Sequence, residues 1–180
     1  MVSVNLFDMN SDNIIMNIDG KDIEMKPAIC YDKVYDKWLV SKCGKVWSFK
    51  WNKLITGYKS YNYNKNGKTL KFIQYGILVN EPDWWGDGSS NLHCSGYHWN
   101  RKIACHKMVM DTWAPLYDNP PEGIVWEEWE KVRDLPSVYN LISKSVVIDH
   151  IDDDPTNNHL DNLRRTTSWG NHHTRKSKGI

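Results

Sequence analysis

The chain has 180 residues, with 23 Lys and Arg against 22 Asp and Glu, for a formal net charge of +1. That length builds one compact domain or two small ones. The charge balance excludes a chain coated evenly in basic residues, while leaving room for a basic face opposite an acidic site.

Ten Trp and nine Tyr beside three Phe make the aromatics the main stock of large core groups, with some left to stack on bases. The start, MVSVNLFDMNSDN, lacks the basic residues and apolar run of a secretory signal. No stretch reaches membrane-spanning length. Cys30, Cys43, Cys94 and Cys105 form no C-x-x-C pair, which fits free thiols in a reduced, cytoplasmic protein. The His and Cys residues between His93 and His106 match no common zinc template.

In chain order, residues 1–30 suggest a hairpin turning at Asp19-Gly20. Lys37–Ser41 and Lys45–Phe49 read as strands around the turn Lys42-Cys43-Gly44, and Thr69–Tyr75 as a third β-rich run. Residues 81–97, with Trp84-Trp85 among glycines, read as a long loop or wide hairpin. Arg101–Ala104 is strand-like. In Cys105–Trp113, residues Cys105, Met108, Val109, Thr112 and Trp113 share one helical face, and Pro115 follows to stop the helix. Glu122–Arg133 suggests a second amphipathic helix with Ile124, Val125, Trp126 and Trp129 inward, and Pro136–Ser143 a short third. Ser145–Asp149 reads as a strand, 152–158 as a turn-rich loop and Leu163–Thr167 as a strand. Ser168 is placed to cap a final helix over Trp169–Lys178. The expected class is α+β: a small N-terminal antiparallel sheet with helices, then a strand-loop-strand-helix unit. The division falls at 1–120, a β-rich DNA-contacting region, and 121–180, a helical connection and the C-terminal unit.

The last unit carries the chemistry. Between Val146 and Thr167 lie five Asp, three Asn and two His. Phosphodiester hydrolysis needs a hard divalent cation and a base for water. Asp149 and the amide oxygen of Asn171 are oxygen ligands suited to Mg²⁺ or Mn²⁺. His150 has the near-neutral pKa of a general base. Adjacent strand residues face opposite ways, so a kink or turn must aim His150 at the water. Asn162 is placed to fix the loop and the imidazole tautomer.

The run Ile148-Asp149-His150 through Pro155, Asn157-Asn158, Asn162-Leu163 and Asn171 resembles the HNH nuclease motif, closest to phage and mobile-intron enzymes. His150, Asn162 and Asn171 stand in its three positions, in a His-Asn-Asn version. His172 or His173 is the rival for the third. Two further stretches are similar to elements that precede the motif in such proteins: Asp36–Ser48, a hairpin, and Ile103–Pro115, a helix. The latter makes His106 a structural or DNA-facing residue. The resemblance implies a ββα-metal fold and a homing-type endonuclease that cuts duplex DNA, leaving 5′-phosphate and 3′-hydroxyl ends. His150 and Asn162 would be catalytic, and Asp149 and Asn171 would hold one divalent ion. Nine residues follow Asn171, so the C-terminal helix-turn-helix of the longest members is not expected.

Arg164, Arg165, Arg175, Lys176 and Lys178 would grip phosphates, or else are ordinary solvated charges and helix-end partners. Lysines from Lys50 to Lys71 surround Tyr58, Tyr61 and Tyr63, as a DNA-groove surface or an exposed sheet face. A calcium loop starting at Asp152 fails, since Thr156, Asn157 and Leu163 stand where such a loop needs an acidic or amide residue, Gly and Glu. A solvated acidic turn accounts for the aspartates but not for Asp149, His150, Asn162 and Asn171 together. The other reading is a catalytically inactive DNA-binding or regulatory protein that keeps the fold. The expected partner is double-stranded DNA, with no membrane contact, for a monomer or weak dimer in the cytoplasm, that of the host if phage-encoded.

Overall fold

The computed structural model describes residues 13–31, 33–64, 67–79, 92–95, 98–168 and 170. Ile14–Ile18 (β1) and Lys21–Cys30 (β2) form the expected hairpin. Asp19 (φ 55°) and Gly20 (φ 79°) both take the left-handed conformation that a two-residue turn between right-twisted strands demands. Lys33–Ser41 (β3), Val46–Ser48 (β4) and Lys53–Ile55 (β5) extend it into a five-stranded antiparallel sheet in sequence order. The β3–β4 turn closes with Gly44 N donating to Ser41 O and Ser41 N to Lys45 O, both 3.0 Å.

This sheet is buried on both faces, and the period-two alternation of its strands sorts its side chains into two clusters. Trp38, Val40 and Val46 go to one; Leu39 and Trp47 join Met16, Ile18 and Met25 in the other. A second antiparallel sheet has the order β6-β7-β9-β8, from Tyr58–Asn64 (β6), Gly67–Val79 (β7), Leu92–Ser95 (β8) and His98–Ala104 (β9).

Helix α1 (Cys105–Trp113) follows β9 directly and packs on both sheets. Its buried residues are Cys105, Met108, Val109 and Thr112, as its spacing predicts, together with Met110. Trp113 stays half-buried, its indole N–H donating to Val40 O at 3.2 Å. At about 1.5–3 kcal/mol for each large apolar side chain removed from water, this helix is the centre of the main core.

The second helix is shorter than its apolar spacing suggests. Helix α2 covers Trp126–Val132. Gly123 sits at φ 90° and Glu122 N bonds Arg165 O at 2.8 Å, so the chain arrives extended. Only Trp129 goes fully inside, anchored by its indole N–H on Tyr117 O; Val125 and Trp126 are exposed. Helix α3 (Pro136–Ser145) runs two residues past its expected end and leads into Val146–His150 (β10), which pairs antiparallel with Leu163–Thr167 (β11). Ser168 and Gly170 are helical, and it is the Thr167 hydroxyl that accepts from Gly170 N at 3.0 Å. That is the capping contact expected of Ser168, one residue earlier. The rest of the final helix lies outside the described residues.

The result is α+β with antiparallel sheets. Leu163 of β11 lies in the same core cluster as Val40 and Met108, and Leu160 N donates to Lys42 O of the β3–β4 turn at 2.8 Å. Cys30, Cys43 and Cys105 are free thiols. Among the described residues no helix is long and apolar enough to cross a membrane.

Candidate active site

The acidic loop is built from its own side chains. Asp152 Oδ1 accepts from Asp154 N (2.9 Å) and Asn162 Nδ2 (2.8 Å), and its Oδ2 from Asn157 Nδ2 (2.7 Å). Asp154 Oδ1 accepts from the N–H and hydroxyl of Thr156. These are the short-range carboxylate turns that Asp favours. The amide donors of Asn157 and Asn162 hold the Asp152 carboxyl well below its ordinary range, at about 2. Asn162 bridges the loop: its Oδ1 accepts from Asp152 N at 3.1 Å, its Nδ2 also donates to Asn157 O, and its carbonyl accepts from Ile151 N.

His150 ends β10, and the turn after it closes with Asp153 N on His150 O, Asp153 taking φ 63°. The side chain is 7% exposed. Its Nε2 lies 3.2 Å from Asn158 Oδ1. The orientation of that amide is set independently, because Asn158 Nδ2 donates to Thr156 O at 3.0 Å. An amide oxygen only accepts, so Nε2 carries a proton, and in the neutral ring the lone pair falls to Nδ1. The residue that selects the tautomer is therefore Asn158, and Asn162 acts on the loop alone.

Asp149 is 3% exposed and stands opposite Arg164 in the β10–β11 register. Its Oδ2 accepts from Arg164 Nε (3.2 Å) and Nη2 (3.0 Å). Arg164 also reaches Glu122 through Nη1 at 3.0 Å. Asp149 and His150 both line a cleft of about 960 Å³, whose other walls include Phe72 of β7 and His106 of α1. His106 sits edge-to-face with His150, centroids 5.2 Å apart, and with Phe72 at 5.5 Å. Burial first, then the nearby His150 and Lys107 charges, lower its pKa to about 4.

Strand alternation sends Arg165 to the opposite face from Arg164. It is 6% exposed and bonds the carbonyls of Met110 and Ala114 and the carboxylate of Asp111. Both carbonyls lie at the C-terminal end of α1, where the dipole favours a cation; Met110 O also accepts the Ala114 N–H at 3.0 Å. Arg165 thus braces the helix that carries His106, its guanidinium bonded to protein acceptors in place of the phosphate grip expected of it. Asn171, Arg175, Lys176 and Lys178 lie outside the described residues.

Asp149 is the hard oxygen donor that an Mg²⁺ or Mn²⁺ site in this cleft would use. Among the described residues, no group of three or more His, Cys, Asp or Glu is placed to hold a metal. One carboxylate, with water and substrate oxygens completing the shell, suits ions that keep several waters.

Two residues of the site escaped sequence reading. Asn158 was signalled by the Asn157-Asn158 pair, but not its partner. Gly44, recognised as a turn glycine, lies at φ 78° against the site, where an added Cβ would stand 2.8 Å from Cys105 Sγ and 3.0 Å from Asn158 Cβ.

No family model matches the chain, and no curated protein does. Among solved structures there is similarity to "DNA binding and cleavage by the HNH homing endonuclease I-HmuI", at 20% identity and a TM-score of 0.40. The match covers 79% of this chain and 53% of that one, so the chain spans about half the length of that protein.

Proposed function

We propose that this chain is a metal-dependent HNH endonuclease of the homing type, hydrolysing phosphodiester bonds in duplex DNA. The observation that carries it is the pairing of a buried carboxylate with a tautomer-fixed imidazole: Asp149 and His150 on one cleft, with His150 Nε2 held by Asn158. His150 is the general base, taking a proton at Nδ1 from the water that attacks phosphorus as the bond to the 3′ oxygen breaks. Asp149 and Asn171 hold one divalent ion. Bound Mg²⁺ or Mn²⁺ supplies positive charge for the phosphate and the departing oxygen. Asn162 keeps the loop in shape. Arg164 and the tail residues Arg175, Lys176 and Lys178 are the phosphate contacts. One site per chain makes a nick the direct product.

The test is supercoiled plasmid with pure protein, in Mg²⁺, Mn²⁺ or EDTA, beside His150→Ala. Metal-dependent conversion to open circle, lost in the variant, is expected. Nicking that survives EDTA, or that His150→Ala performs at the wild-type rate, overturns the assignment. The ion pair between Arg164 and Asp149 favours a second reading, a DNA-binding protein that does not cleave. DNA retention without nicking on plasmid and genomic DNA, in either metal, would select it.

A further inference from the structure

His106 has no part in the reading above, yet it touches the proposed base. It leaves helix α1 at its second residue and enters the cleft between Phe72 and His150. The three rings form a column of perpendicular contacts: 87° between Phe72 and His106, 86° between His106 and His150. This is the edge-to-face geometry that ring quadrupoles favour. Among the described residues, His106 Nδ1 is buried with no hydrogen-bond partner. Ring packing, rather than a bond at Nδ1, is thus what it gives its neighbours.

We propose that His106 is a positioning residue for His150, its imidazole fixing the plane of the base while Asn158 fixes the direction of Nε2. The inference rests on the nuclease reading for its consequence, though not for its geometry. A hydrogen bond at one ring nitrogen leaves the imidazole free to rock about that contact. A perpendicular ring packed at 5.2 Å removes this freedom, so the lone pair of Nδ1 points one way. His106 can sit beside a base without opposing its protonation because burial keeps it neutral at neutral pH. Phe72 backs it from β7, and so ties the orientation of the base to the second sheet.

Two measurements on wild type, His106→Ala and His106→Phe test this. The first is imidazole ¹⁵N NMR of the metal-free protein, which needs no activity. His150 in the wild type should show one ring environment with the proton on Nε2. His106→Ala should leave the proton on Nε2, which Asn158 holds, but broaden the His150 ring signals as the ring rocks, and His106→Phe should restore the single sharp environment. The second is nicking kinetics. His106→Ala should lower kcat about tenfold or more at nearly unchanged KM, as expected when a reacting group is misplaced, and His106→Phe should recover most of that loss. His150 ring signals as sharp in His106→Ala as in wild type, or a loss that falls on KM with kcat unchanged, overturn the proposal. A wild type that shows the NMR behaviour but never nicks supports the positioning and overturns the nuclease reading instead.

Discussion

His106 and Asp152 illustrate opposite uses of a titratable side chain. Asp152 is exposed and held ionised by amides of its own loop; His106 is half-buried, its Nδ1 shielded from water, and held neutral. The unfolded chain returns His106 to near 6.5, so between about pH 6.5 and 4 the unfolded state binds the extra proton. Stability is then at its full value above pH 6.5 and falls as the pH is lowered through this window, by about 3 kcal/mol in total for a shift of this size. Urea midpoints at pH 7, 5.5 and 4.5 should show that slope, and His106→Phe should flatten it. A slope equal in the two proteins would place the acid sensitivity elsewhere. The Asp152 contribution belongs to a separate window, below about pH 4, where the loop carboxylates protonate.

Among the elements, the β10–β11 hairpin does the most with the fewest residues. One face of β11 offers Arg164 to Asp149; the other sends Arg165 to the end of α1. Removing a buried charged group that satisfies several acceptors costs about 3–5 kcal/mol. Arg165→Ala should therefore lower the thermal midpoint sharply. If the folded fraction is matched, it should leave the salt dependence of DNA binding as in wild type. A reduced salt slope would mean that Arg165 contacts phosphate after all. The two strands and the α1 face were legible because period-two and helical spacing are local properties of the sequence. The start of α2 was not: Val125 and Trp126 are spaced to be buried, and only the tertiary path set by Gly123 and the bond from Glu122 to Arg165 leaves them outside. The site divided along the same line. Asp149 and His150 could be read from chemistry and spacing, whereas the contact of His106 with His150 depends on how a helix 44 residues earlier in the chain packs.

At the scale of the whole molecule, the β3–β4 hairpin and the C-terminal unit are joined at Gly44. A side chain there would meet both Cys105 and Asn158, on backbone that L-residues rarely adopt. Gly44→Ala should cost about 1–3 kcal/mol from strain. It should also slow nicking beyond what the loss of folded protein explains, because Asn158 is pushed from His150. Thermal melts and single-turnover rates on one preparation check this; nicking that merely tracks the folded fraction would confine Gly44 to a structural role. Lys42 bonds Leu160 in the same place, and Leu163 sits in the core that the first sheet and α1 build. The strand-loop-strand unit is consequently not a transplantable cassette. A fusion carrying only residues 121–180 would leave behind the glycine that makes room for Asn158, the carbonyl that ties down Leu160 and the histidine that steadies the base. Grafting this site onto another protein means moving the β3–β4 hairpin and α1 with it.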